Sequence, residues 1–440
     1  MTRSDQQLSL PIAILININI MLGTGVFVNM TELAKRAGAL GAFGYIIIGT
    51  LMLPLVISIT HLLELHPAGG FYIFGQKEIS PFAGFISAWA YFTGKLASAT
   101  LAIHTAVLLI QTVIPALNIV NPLYIDGIIL TLFIGLNMLH VRTGGSIQTL
   151  FVVFKIIPIA FILLVGVFFM QGAHFTLPHM LWQGIPSILP LVLYATVGFE
   201  AACSLSSKIK DAHKNAPRAI LISYALVILI ATLFQLIFYG IHGDLFNSFT
   251  DYRQAFPAFI QMLLPHSQRL QEIVTGVLHL GIAMSALGGG YGIIFSNCWN
   301  LHTLAQHHHI FKSAFMTQLN KHHIPWLCVL IEGLIGVTYL CITRGNQLPL
   351  QQMGALGSII AYTISALSLL YACKNKHTTR TPQWLPLLGL INCLMLTASC
   401  VYGLMYSGMV SLLIFSLLLM FGIYMFWSTN KNLSTQFESN

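Results

Sequence analysis

Charged side chains are scarce in this chain. Lys, Arg, Asp and Glu together make up 7% of its 440 residues, while 56% are hydrophobic. A soluble domain of average make-up carries roughly 25% charged residues, so this sequence has too few charges to cover a surface facing water. The bilayer is the solvent that fits. The seven cysteines show no zinc spacing, and no loop pair suggests a disulfide. Cys203, Cys298, Cys328, Cys341, Cys393 and Cys400 lie inside apolar runs and are expected to be small core residues. The loops hold no nucleophile–base pair and no metal motif, which argues against a membrane enzyme and predicts no metal or other cofactor. His307–His309 and His322–His323 have no acidic or cysteine partners nearby, so a weakly basic loop is expected there. No small-residue cleavage site follows the first apolar run, which is expected to be retained as a span.

What the sequence does have is twelve apolar segments, at about 9–31, 39–62, 82–111, 122–141, 146–170, 184–206, 219–241, 271–300, 325–342, 350–373, 384–406 and 408–427. Each is close to the roughly 20 residues an α-helix needs to cross a membrane. Barrel strands would be about 10 residues long with strict alternation. The expected fold is therefore an all-α integral membrane protein of about twelve transmembrane helices. The net charge of +8 would suggest nucleic acid in a soluble protein. Here the basic residues sit in short loops and report topology. Thirteen Lys and Arg fall on the side of the N-terminus, among them Lys77, Lys208, Lys312 and Lys376. Five fall on the other side (Lys35, Arg36, Arg253, Arg269 and Arg344), and Lys95 and Lys155 lie within spans. This asymmetry predicts that both termini are cytoplasmic.

Two segments carry breaks. The first reads Leu22-Gly23-Thr24-Gly25-Val26-Phe27 and the sixth Tyr194-Ala195-Thr196-Val197-Gly198-Phe199-Glu200. A glycine inside a helix weakens it by about 1 kcal/mol relative to alanine. Unwound backbone at membrane depth is tolerable only where it lines a cavity or is buried in protein. Breaks five helices apart are the pattern of an inverted repeat of five helices plus five.

Further motifs occur in order along residues 20–325: Pro67-Ala68-Gly69-Gly70-Phe71-Tyr72, then Gly84-Phe85 and Trp89-Ala90-Tyr91-Phe92, then Gly198-Phe199-Glu200, Asn215-Ala216-Pro217-Arg218-Ala219-Ile220 and Ile324-Pro325. Together with Gly23-Thr24-Gly25-Val26-Phe27 they resemble the amino acid–polyamine–organocation superfamily of transporters. The resemblance implies a leucine-transporter-like core, alternating access, and amino acids or polyamines as cargo. It divides the chain into a cytoplasmic segment 1–8, a ten-helix core 9–373, helices eleven and twelve at 374–427, and a short cytoplasmic tail 428–440. It also implies a place in the plasma (bacterial inner) membrane, with a proton gradient or an exchanged solute as driving force. A homo-oligomer is left open. Two loops depart from the family pattern, Ser206-Ser207-Lys208-Ile209-Lys210-Asp211 and Ala305-Gln306-His307-His308-His309, and they put gating details in question.

The candidate site follows from what an amino acid needs in mid-membrane. Its carboxylate needs donors, which backbone N–H groups near Gly23, Thr24 and Gly25 can supply at the positive end of a half-helix. Its ammonium group needs acceptors, available among the freed carbonyls around Ile20, Met21, Val197 and Gly198. Tyr194, Phe199 and Tyr91 are candidates for a selective wall. Charges inside spans are expensive and usually functional. Lys155 resembles a lysine that some proton-coupled family members carry where sodium-coupled relatives bind an ion. An ammonium group that can lose its proton can take the ion's part. Glu200 could carry a proton, pair with a cationic substrate, or hold the unwound segment as a hydrogen-bonded acid. Lys95 shares a helix face with Tyr91 and Ser98; it would repel cationic cargo and could pair with Glu200. His104 lies half a turn out of phase with Lys95 and is expected to be packed or hydrogen-bonded. Ser285, Gly288, Gly289, Gly292 and Ser296 form a small-residue face suited to close approach of helices one and five, and Ser285 is a candidate contact for the cargo or for Lys155. The leading expectation is a proton-linked amino acid transporter. An antiporter for basic amino acids or polyamines, or a non-transporting amino acid receptor, remain open.

Overall fold

A computed structural model describes residues 7–67, 69–378 and 381–438. Ala68 of the Pro67–Tyr72 motif, most of the N-terminal segment 1–8 and the last two residues of the tail lie outside it. The described chain is helical. In order the α-helices are α1 (Leu10–Met21), α2 (Gly25–Ala37), α3 (Phe43–Leu65), α4 (Phe71–Glu78), α5 (Pro81–Val113), α6 (Pro122–Asn137), α7 (Val141–Leu164), α8 (Ile185–Thr196), α9 (Ala201–Ser204), α10 (Ala212–His242), α11 (Ala255–Leu263), α12 (Gln268–Gln306), α13 (Ser313–Met316), α14 (Trp326–Thr343), α15 (Gln347–Lys374), α16 (Trp384–Ser407) and α17 (Met409–Glu438). Among the described residues, ten helices are long and apolar enough to cross a membrane. The pair α1 and α2, bent by 41°, adds an eleventh crossing if it is one span, and α6 is a shorter apolar helix. These are the twelve segments read from the sequence.

Helix starts follow local chemistry. Ser80 accepts a hydrogen bond from the Ala83 amide, and Pro81 occupies the first turn of α5, where its missing N–H costs nothing. Asn121 and Pro122 start α6 in the same way. The loop helices α4 and α11 were not among the twelve segments, because at eight and nine residues they are too short to show as apolar runs. The last helix continues to Glu438, so the polar tail extends α17.

The surface confirms which solvent the fold expects. Leu132, Phe168, Leu334 and Leu417 face outward, while Asn17, Asn19, Lys95, Asp126, Lys155 and Glu200 are buried. Apolar outside and polar inside suits hydrocarbon surroundings. Six of the seven cysteines are buried; Cys341 is exposed, which corrects the expectation that it is a core residue. It sits on the outward face of α14, where a small thiol meets lipid as readily as protein. His104, on α5, is hydrogen-bonded through Nδ1 to Asp126 of α6 at 2.7 Å.

The centre of the bundle is α5 and α12, packed against each other, with α15 on α5 and with α7 and α1 on α12. The small face of α12 makes these approaches possible. A side chain on Gly289 would come within 3.2 Å of the Gly23 Cα. One on Gly288 would come within 2.6 Å of Phe151 on α7.

Candidate functional site

The two breaks meet. α1 ends at Met21 and α2 begins at Gly25, with no side chain capping the N-terminus of α2. The first-turn amides of a helix have no partner within it, so this uncapped end presents donors and the positive end of the helix dipole. On the other broken helix, α8 ends at Thr196 and the chain turns through residues 197–200 before α9. Gly198 sits there at φ +128°, a conformation L side chains rarely adopt, and a Cβ on it would lie 2.9 Å from Ile20 Cγ2. Across the gap, the Thr24 and Tyr194 hydroxyls are hydrogen-bonded at 3.0 Å.

Between the breaks is a cavity of about 20 Å³, lined by Ile20, Met21, Gly23, Thr24, Gly25, Lys95, Ser98, Ala102, Tyr194, Val197, Gly289 and Ile293. That volume holds about one water, so the centre is closed around a space far smaller than an amino acid. Eight candidate residues from the sequence line it: Ile20, Met21, Gly23, Thr24, Gly25, Lys95, Tyr194 and Val197. Four lie one layer back. Phe199 is fully buried, stacked on Tyr362 with ring centres 5.5 Å apart. Tyr91 packs on Phe71 at 4.6 Å, with the Lys95 ammonium 5.4 Å from its ring centre. Gly198 packs on Ile20 and Met21. Ser285 donates to the Leu22 carbonyl at 3.0 Å.

The buried charges are placed in two ways. The Lys95 ammonium is 2.7 Å from Glu200 Oε1. The other carboxylate oxygen of Glu200 accepts the Gly198 amide at 2.8 Å. One acid thus holds the unwound turn and a cation at the cavity wall. Lys155, on α7, donates to the Asn19 carbonyl at 2.5 Å. Together, Lys155 and Ser285 take up carbonyls that the end of α1 leaves without helical partners.

Three asparagines of the first span were missed by sequence reading. The Asn17 side chain donates to Ser223 and accepts from the Ala202 amide, at the start of α9. Asn19 donates to Gln148 and to the Gly288 carbonyl. Asn29 donates to the Leu191 carbonyl of α8 at 2.8 Å. The signal was available: three amides in an apolar helix must find partners there.

A vestibule of about 350 Å³ lies at the end of the bundle where Leu8 leads into the first broken helix. Tyr72, Ser204, Lys208, Asn300 and His302 are among its walls. Leu8 pairs with the adjacent backbone at Lys208 and Lys210. His309 bonds the Tyr72 hydroxyl through Nε2 at 2.7 Å, and the His307 ring packs 4.4 Å from the Tyr72 ring. Burial, then the neighbouring His308 and Lys77, hold the His307 pKa below its usual value. At the opposite end a pocket of about 750 Å³ is lined by residues that include Asp251, Arg253 and His279.

Apolar helices with polar residues inward, two broken helices meeting at a closed central cavity, and a vestibule at either end define a multi-pass integral membrane protein of transporter architecture. The chain belongs to the Amino acid permease family, which it matches over residues 8–440. It is similar to the low-affinity putrescine importer of Escherichia coli, with 27% identity over 186 residues, which is 39% of this chain and 40% of the importer. The chain thus spans well under half the length of that relative. It is also similar to the aromatic amino acid transport protein of Salmonella typhimurium, at 22% over 371 residues, covering 80% of this chain and 76% of that protein. An uncharacterized transporter of Mycobacterium tuberculosis is 21% identical over 403 residues, covering 89% and 85%.

Proposed function

We propose that the protein is a proton-coupled secondary transporter that moves amino acids by alternating access. In this reading the central cavity is the substrate site in its closed state. The observation that carries the reading is the uncapped helix N-terminus at Gly25, which opens on that cavity. It favours a negative group, and every amino acid brings a carboxylate. To admit it, α2 and α8 must part, breaking the Thr24–Tyr194 hydrogen bond and enlarging the cavity.

Lys155 is the proposed coupling group. Protonated, it holds the end of α1 through the Asn19 carbonyl. On losing its proton it weakens that contact and shifts the balance between access states. Glu200 has the positioning role: both its oxygens are engaged, one on the Gly198 turn and one on Lys95.

The second reading, an antiporter for basic amino acids or polyamines, is favoured by the likeness to a putrescine importer. It is opposed by the uncapped N-terminus of α2 at the cavity, whose positive dipole end disfavours a cation that brings no carboxylate. Both termini are proposed to be cytoplasmic, in a bacterial inner membrane. Uptake into proteoliposomes decides between the readings. Labelled neutral amino acids should accumulate more when the pH gradient is imposed, and labelled putrescine should not. Accumulation of putrescine alone would establish the second reading, and no accumulation of any solute would refute both.

A further inference from the structure

One buried charge-bearing group takes no part in the site described above. Glu332 lies on α14, 1% exposed, and neither of its carboxyl oxygens has a hydrogen-bond partner. Among the described residues no lysine, arginine or histidine forms an ion pair with it. The helices packed against α14 are α5, α6, α12 and α13. Lys95 and His104 of α5 are committed to Glu200 and to Asp126 of α6. Arg269, Glu272 and His279 lie toward the opposite end of α12, and His302 faces the vestibule. The titratable neighbours are two thiols, Cys328 one turn back on α14 and Cys298 on α12. An ionised carboxylate left alone in such surroundings carries a heavy desolvation cost. The packing seen here therefore suits a neutral carboxyl group.

The acid is not isolated from water in every direction. Asn297 is the amide beside it. Asn297 Nδ2 donates to the Phe92 carbonyl at 2.9 Å, and its Oδ1 accepts from Asn300 at 3.0 Å. Asn300 is hydrogen-bonded in turn to Ser204 at 2.9 Å. Asn300 and Ser204 both line the 350 Å³ vestibule. A polar seam thus runs from the amide beside the buried acid to the vestibule. The amides do not carry a proton themselves. They offer water entering from the vestibule a row of partners in an otherwise apolar contact between α5, α12 and α14.

We infer that Glu332 is a second proton-binding site, loaded from the vestibule along the Asn297–Asn300–Ser204 seam. The carboxylate takes a proton from hydronium in the opened seam: the carboxyl O–H forms as a hydronium O–H breaks, and water is left. The neutral acid then lets α14 close on α5 and α12, as in this structure, and reopening the seam returns the proton to water as hydronium. The inference rests on the transporter reading for its purpose, but its central claim, a proton that binds and exchanges at Glu332, stands apart from the cargo and from Lys155.

The test is infrared difference spectroscopy of the purified full-length protein without substrate, paired with transport across pH. Subtracting the spectrum of Glu332→Gln from that of the wild type should reveal a protonated-carboxyl carbonyl band, and that band should shift in deuterium oxide. Asn300→Leu should slow the shift several-fold, which keeps the inference testable if Glu332→Gln proves unstable. Glu332→Gln, a fixed mimic of the neutral acid, should flatten the pH profile of transport and lower proton-driven accumulation several-fold. Absence of the band, a band that never shifts, or a wild-type pH profile in Glu332→Gln would each overturn the inference. Failure of the transporter reading shows separately, as wild-type protein that accumulates no solute at any pH, and leaves the infrared result to decide on the proton site.

Discussion

The ammonium of Lys95 and the carboxylate of Glu200 form a buried ion pair, 2.7 Å apart, between the long helix α5 and the unwound turn that follows α8. Removing one partner of such a pair leaves the other charge uncompensated, at a typical cost of about 3–5 kcal/mol. Lys95→Met should therefore lower the thermal midpoint of the purified protein sharply. Lys95→Met combined with Glu200→Gln should recover much of the loss, since neither charge then remains. Equal melting temperatures for wild type and Lys95→Met, read in one detergent, would show that the pair contributes nothing.

Lys155 holds the Asn19 carbonyl at the end of α1. Lys155→Ala should weaken or remove the pH dependence of transport, whereas Glu200→Gln should mainly alter substrate binding. Transport rates in proteoliposomes across a range of pH, measured for both variants, make the comparison. A wild-type pH profile in Lys155→Ala would pass the coupling role to another group, with Glu200 the next candidate at the site.

The Thr24–Tyr194 hydrogen bond closes the cavity between the two broken helices. Thr24→Val and Tyr194→Phe each remove one hydroxyl with little change of shape, and a hydrogen bond of this kind contributes about 0.5–1.5 kcal/mol net. Folding should survive, and substrate affinity should change by a few-fold. Isothermal calorimetry with the best substrate would check it; affinities within error of wild type in both variants would remove these hydroxyls from the site. Gly25→Leu is a different case. In the structure a Cβ at Gly25 lies 2.6 Å from the Ala195 Cα, so the substitution pushes α2 off α8. It should abolish binding together with a fall in the thermal midpoint, not binding alone.

Topology has its own check. Lys376 and Asn247 are both exposed. Single cysteines at these positions, on a background from which all seven native cysteines are removed, should react differently with an impermeant thiol reagent applied to intact cells. Labelling at 247 and protection at 376 is expected. The reverse pattern would invert the orientation drawn from the thirteen-to-five distribution of basic residues.

Much of this protein was legible in its sequence because the bilayer imposes a simple rule. A segment that crosses it must be long, apolar and internally hydrogen-bonded, so composition and run length alone marked the spans. The breaks were legible as well, because Gly23, Gly25 and Gly198 are where helix costs most and unwinding costs least. The sequence could also propose Lys95 as a partner for Glu200, since few other charges were available within the spans. What it could not decide is which residues share a layer. Tyr91 and Ser285 lie on helices that also carry cavity residues, and Phe199 follows Val197 in the unwound turn, yet packing sets all three behind the wall. Conversely, Asn17, Asn19 and Asn29 bind partners between 129 and 322 residues away, and Glu332 stands near Asn297 only because α14 folds back on α12. Period and composition fix which face of a helix is polar. Only the tertiary structure fixes what that face meets, because the energy of a buried polar group lies in its partner, and the partner is chosen by packing between distant segments.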